Sequence, residues 1–167
     1  MSRLSSSILG AFLAASLAGP SIAQVSEFRD SEFGFAVSAP SLGAPAEGGS
    51  VMRLMVAGST EDGFAANLNV VVQRIKTTRD AFVEVSESQF KGAGLRVISK
   101  ENRVVSGRPA ALIEYEGKMN GQSMHWLALA VVLPDRVLLA TCTATPASFP
   151  RKEKEFRRSL DSFRLTQ

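Results

Sequence analysis

The chain has one histidine and one cysteine, and these set a ceiling on the chemistry its side chains can perform. His125 lies between Met124 and Trp126 in a run that alternates as a strand, on the same side as Leu127 and Leu129. A hydrolase built on it needs an acid and a hydroxyl within hydrogen-bond reach of the imidazole. No Gly-x-Ser-x-Gly elbow supplies that hydroxyl. The plainer reading of His125 is a satisfied structural histidine near the start of its strand. Glu114 and Glu116 are the best acidic pair, since two residues apart on a strand they point the same way. They are candidates for a hard cation, calcium or manganese, in an accessory role. Calcium takes roughly six to eight oxygens, so Asp62 or Asp135 must converge on them. Otherwise they face solvent or pair with Arg or Lys on the next strand. Zinc needs more His and Cys than one of each. Gly92-Ala93-Gly94 lacks the remainder of either phosphate-loop pattern. Cys142, within Leu138-Leu139-Ala140-Thr141-Cys142, reads as an inert thiol on a packed strand. These spacings yield no catalytic residue and no cofactor.

Binding is the chemistry left. Trp126 and Tyr115 are the large amphipathic aromatics, and ten Phe carry most of the aromatic mass. Phe at core periodicity is core first, although the same residues line a partner groove wherever a helix packs loosely. Two binding surfaces follow: the sheet face around Met124, Trp126 and Ala128, and the Gly-rich loop from Ser41 to Ser50, beginning Ser41-Leu42-Gly43. Met52 and Met55 would suit an adaptable surface beside that loop. On a regular strand they point to opposite faces, so only one of them can serve it. A binding surface of this kind predicts an exposed apolar patch larger than the few hundred Å² usual for monomers.

The elements that must position these residues begin after a leader. Arg3, the apolar run Ile8 to Ala18, and Ser21-Ile22-Ala23 before Gln24 have the order of a secretory signal peptide spanning residues 1–23. The run is about half the ~20 residues that a membrane-spanning helix needs. The expected product is a soluble periplasmic or secreted chain, 24–167, with no transmembrane anchor. About 140 residues then remain, the usual size of one domain. The charge is +3, from 19 basic and 16 acidic side chains, and losing Arg3 with the leader lowers it by one. That small excess excludes the basic stripe of a nucleic-acid binder. The cluster Arg151 to Arg158 is broken by Glu153 and Glu155 and reads as a solvated helix face.

Alternation marks strands at Phe33–Ser38, Val51–Ala57 and, most clearly, Phe64–Gln73, with turns at Gly58–Gly63 and later at Gly117–Gln122. Phe82, Val85 or Ser86, Gln89 or Phe90 and Ala93 recur at helical spacing, with Thr77 or Thr78 to cap the start. Two short strands, Leu95–Ser99 and Asn102–Val105, lead to Gly107-Arg108-Pro109, where the chain turns into Ala110–Glu116. Met124–Leu133 and Arg136–Ala144 form a hairpin at Pro134-Asp135. Both alternating sets of the first are apolar, so that strand is covered on both faces. One cover is the Phe82 helix; the other is a C-terminal helix carrying Phe149, Phe156, Leu160 and Phe163, with Pro150 in its first turn. The expected fold is α+β, an α/β/α sandwich with a mainly antiparallel central sheet flanked by helices.

The order of these pieces resembles the PsbP/Mog1/DcrB-like superfamily, including the DUF1795 group. The matching stretches are Phe33-Gly34-Phe35-Ala36-Val37-Ser38-Ala39-Pro40, Ala66 to Val72, Gly107-Arg108-Pro109-Ala110, Leu139 to Ala144, and Ser162-Phe163-Arg164-Leu165. The resemblance implies a single domain and a non-enzyme: assembly factors, partner-binding adaptors and chaperones make up the group. It has no shared catalytic motif, so none is transferred. The expected function is an exported, non-catalytic binding or accessory protein of the cell envelope that engages a protein partner or a small apolar ligand.

Overall fold

A computed structural model describes residues 26–43, 46–47 and 51–166. The expected leader and cleavage site, and residues 44–45 and 48–50 of the Gly-rich loop, lie outside the described residues. Every strand pairing among those described is antiparallel.

A short ribbon opens the fold, with β1 (Glu27–Asp30) pairing with β2 (Phe35–Ser38). β3 (Ala46–Glu47), β4 (Met52–Glu61) and β5 (Phe64–Gln73) follow. Then come helix α1 (Arg79–Gly92), β6 (Arg96–Val105), β7 (Arg108–Met119), β8 (Gln122–Val132) and β9 (Val137–Ala144). Helix α2 (Phe149–Asp161) and β10 (Arg164–Leu165) end the chain. The main sheet has the order β3-β4-β5-β9-β8-β7-β6, and β1-β2-β10 make a second, small sheet.

Hairpin turns set the strand lengths. Asp62-Gly63, Ser106-Gly107 and Asn120-Gly121 each place two successive residues at positive φ, between 49° and 80°. Such two-residue turns match the twist of the flanking strands. They leave the neighbouring residues paired, so the turns expected over Gly58–Gly63 and Gly117–Gln122 shrink to two residues while β4 and β7 run longer. Arg108 and Pro109 likewise belong to β7 and not to the turn. The two short strands expected across residues 95–105 are one strand, β6, bulged between Val97 and Ser99.

Alternation then sorts the layers. On one face of the main sheet, Leu68, Val70, Leu127, Leu138 and Cys142 meet Phe149, Phe156 and Leu160 of α2 and Phe35 and Val37 of the small sheet. Burying each of these large side chains contributes roughly 1.5–3 kcal/mol, so this is where the stability sits. The opposite face is covered by α1 across β6, β7 and β8, with Phe82 also packed against the cluster of Ala130, Val132 and Val137. Both helices fall where the apolar spacing put them, and the sandwich carries the small sheet beside α2 as an additional cover.

Candidate functional site

The half-covered face holds the site. Thr78 caps α1, its Oγ1 accepting the Ala81 N–H at 3.2 Å, with Asp80 in the first turn. Gly94, at φ 72°, lets the chain leave the helix, and the Leu95 N–H returns to the Phe90 carbonyl at 2.8 Å. Between these ends α1 buries only Ser86, whose Oγ donates to the Phe82 carbonyl at 2.7 Å. Phe82 and Phe90 are half-buried and Val85 is 56% exposed. The helix stands over the sheet without closing onto it.

What remains between them is a groove of about 440 Å³. The sheet supplies its floor through Ile113, Tyr115, Ala128 and Leu139, and α1 its wall through Phe82, Val85 and Phe90. Beyond β5 the chain turns tightly at Arg74, the Ile75 N–H donating to the Gln73 carbonyl at 3.0 Å, and Gln73, Ile75 and Thr77 line the groove mouth. Ile75 is 41% exposed there. Gln73, Thr77, Ser86 and Gln89 are polar, and none of the lining residues carries a charge. Its size lies within the range of small-molecule sites. One end is walled by stacked rings, Phe90 on Tyr115 at 4.1 Å and Tyr115 on Trp126 at 5.0 Å. Burial pushes the Tyr115 phenol up to about 12, so it stays protonated.

The binding residues expected from sequence divide around this groove. Ala128 is in its floor. Trp126 and Met124 share that sheet face, but each is only 5% exposed, so they support the groove from beneath and are not its contact surface. Ser41, Leu42 and Gly43 lie elsewhere. The Ser41 N–H donates to Glu155 of α2, and Leu42 packs beside Gly58 of β4. A Cβ on Gly43 would collide with the Ala57 carbonyl oxygen, which accounts for glycine at that position. The Met52/Met55 expectation is corrected. A bulge at Arg53 puts Met52 opposite Val71 and Met55 opposite Asn69, and Val71 and Asn69 share a face. Both methionines therefore stand on the half-covered face, with Met52 39% exposed. Val85 was legible only as a member of the helical stripe, and no residue pattern singled out Ile75.

The titratable candidates converge on the other side, beneath α2. His125 Nε2 lies 2.9 Å from Glu114 Oε1, and Nδ1 lies 3.9 Å from Glu116 Oε2. Phe149 stacks on the imidazole, ring centroids 3.6 Å apart. Arg157 of α2 donates to Glu114 Oε2 at 2.8 Å, and Arg96 of β6 pairs with Glu116. The acid that a hydrolase needs is thus present, but no hydroxyl is hydrogen-bonded to His125 among the described residues. Glu114 and Glu116 are taken up by cations of the protein and do not converge with Asp62 or Asp135. Asp135 pairs with Arg136, and the Asp62 carbonyl accepts from Gln122. Among the described residues no group of three or more His, Cys, Asp and Glu side chains is arranged to hold a metal. Cys142 is fully buried, and desolvation, with Glu155 adding a smaller like-charge effect, holds its thiol protonated.

No protein-family model matches the chain, and no curated protein matches its sequence. Solved structures do match. The solution structure of cyanobacterial PsbP (CyanoP) from Synechocystis sp. PCC 6803 superposes with a TM-score of 0.62 at 18% identity, over 91% of this chain and 98% of that one. LpqN of Mycobacterium tuberculosis, described as involved in cell envelope biogenesis, gives 0.64 at 10% identity, over 85% and 90%. PA94 of Pseudomonas aeruginosa, a putative regulator of unknown function, gives 0.55 at 16%, over 82% and 94%. Identities this low speak for the architecture alone, and that architecture is the α/β sandwich fold seen in cyanobacterial PsbP.

Proposed function

We propose that the chain is an exported, non-catalytic binding protein of the cell envelope that holds a small neutral apolar ligand in the groove beneath α1. The observation that carries this reading is the groove itself, apolar on floor and wall, uncharged throughout, and open at Ile75 and Val85. Large apolar side chains left exposed around a recess favour an occupant that covers them. An uncharged lining selects against anionic and cationic ligands, because a charge placed there loses water and gains no partner. Gln73, Thr77 and Gln89 offer the few polar groups that orient a hydroxyl or amide end. The leader at Met1–Ala23 supports export, and the likeness to LpqN is in keeping with an envelope setting. The non-catalytic reading rests on His125, which is half-buried and stacked on Phe149 with both ring nitrogens turned to carboxylates.

A second reading, a protein partner, has one observation in its favour. The bulge at Arg53 sets Met52 and Met55 on the same uncovered face, beside exposed Val51, and methionine suits an adaptable contact.

Calorimetric titration with 1-dodecanol tests the first reading. Saturable binding is expected, with affinity falling at least about tenfold, or ~1.4 kcal/mol, in Val85→Asp, a substitution at an exposed position that adds a charge to the groove. Undiminished binding by Val85→Asp would place the ligand elsewhere.

A further inference from the structure

Phe33 lies in the turn between β1 and β2, at an end of the sandwich away from the α1 groove. Three guanidinium groups from three elements gather on its ring. Arg53 of β4 lies 4.9 Å from the ring centroid, Arg74 just past β5 lies 5.7 Å away, and Arg136 at the start of β9 lies 5.9 Å away. The Ile75 N–H donates to the Gln73 carbonyl at 3.0 Å, a tight turn centred on Arg74, whose guanidinium reaches Phe33 while Gln73 and Ile75 line the groove. An aromatic face attracts each cation by roughly 0.5–1 kcal/mol or more, but three like charges on one ring repel one another. Their fates differ. Arg53 is paired, its Nε donating to Asp30 Oδ2 at 2.7 Å and its Nη2 to Glu32 at 2.9 Å. Arg136 gives Nη1 to Asp135 at 3.0 Å, yet its Nε is buried without an acceptor, the one such side-chain atom among the described residues. Arg74 is exposed, with the Phe33 ring as its contact and no carboxylate partner among the described residues. A buried N–H left unsatisfied costs about 1–3 kcal/mol. The three acids at hand are already engaged: Asp30 also accepts the Phe33 N–H at 2.9 Å, while Glu32 and Asp135 hold Arg53 and Arg136.

We propose that Arg74 and Arg136, seated against Phe33, form a binding site for a phosphate-type oxyanion, free or carried on a lipid headgroup. Such an anion supplies the counter-charge that Arg74 lacks and an acceptor for the outer nitrogens of Arg136, whose side chain is part-exposed. Guanidinium donors suit it because their fork matches tetrahedral oxygens. Arg53 takes a supporting part, held by Asp30 and Glu32 so that it screens the two acids without competing for the ligand. The site is independent of the apolar groove, and either can fail without the other.

The test has two probes and two variants. The melting temperature of the full chain is followed against inorganic phosphate at constant ionic strength, with chloride as the balancing anion. Flotation with phosphatidylglycerol vesicles is run beside it, against neutral phosphatidylcholine. A saturable rise in melting temperature identifies the free anion, and flotation alone identifies the headgroup. In either case Arg74→Gln is expected to weaken the effect at least fivefold and Arg136→Gln to weaken it similarly. Arg158→Gln, a basic position on α2 away from Phe33, leaves it unchanged. The proposal is overturned if neither probe gives a specific response, or if Arg158→Gln weakens that response as much as Arg74→Gln does.

Discussion

At the scale of single residues, Asp30 shows how this protein spends a charge. Burial opposes its ionised form, but the Arg53 guanidinium and the Phe33 N–H outweigh that opposition and hold its carboxyl below the usual range. A carboxyl depressed in the folded state stabilises above its unfolded value, about 4, and loses that contribution as pH falls through its folded value. Replacing it with Asn is therefore expected to cost about 2 kcal/mol near neutrality, the range for a hydrogen bond to a charged group. Urea melts of wild type and Asp30→Asn at about pH 6 and about pH 3 check this, with the gap narrowing at the lower pH. Such residue-level pairings were only half legible. The two-residue spacing of Glu114 and Glu116 placed them on one face. That they meet His125 follows from the register of β7 on β8, where Glu116 stands opposite His125. Arg157 reaches Glu114 only because α2 folds back over that face, across 43 residues of sequence. Spacing along a chain carries no information on contacts of that separation.

The two helices differ at the scale of elements. α2 buries Phe149, Phe156, Ser159 and Leu160, whereas α1 buries Ser86 alone. Periodicity located both helices, and residue types narrowed the start of α1 to Thr77 or Thr78, of which Thr78 is the cap. How tightly each packs was not, since Phe82, Val85 and Phe90 recur at spacings that would equally suit a closed core. The difference has a dynamic consequence, because local opening is easiest where few apolar contacts hold an element down. Amide exchange in α1 is expected to be at least about tenfold faster than in α2, measured by hydrogen–deuterium exchange. Equal protection of the two helices would contradict the loose seating of α1. The bulge at Arg53 belongs to this scale too. It inserts one residue, brings Met52 to the face of Met55 and turns Arg53 toward Asp30, and a period-two reading of Val51 to Ala57 passes over it.

Across the whole molecule the two faces of the main sheet divide the work. One is sealed by α2 and the small sheet and holds the core; the other is left half-covered and holds the groove. The apolar character of both alternating sets in β8 announced a strand covered on each face. Asn67, Asn69 and Gln73 of β5 lie on the face that is not fully covered, where amides fit a solvent-facing floor better than a core. Where cover ends and groove begins depends on the tilt of one helix, which no local pattern encodes. Many charged side chains pair with one another at the surface, and none of them lines the groove.

The central claim is that this neutral groove is where the ligand sits, and amide chemical-shift mapping on 15N-labelled protein titrated with 1-dodecanol addresses it directly. Saturable shifts are expected at Ile75, Phe82, Val85, Phe90, Tyr115 and Leu139, with the indole N–H of Trp126 following through its stack on Tyr115. Shifts confined to Ser41–Gly43 or to the α2 face, with the α1 residues unmoved, would contradict it.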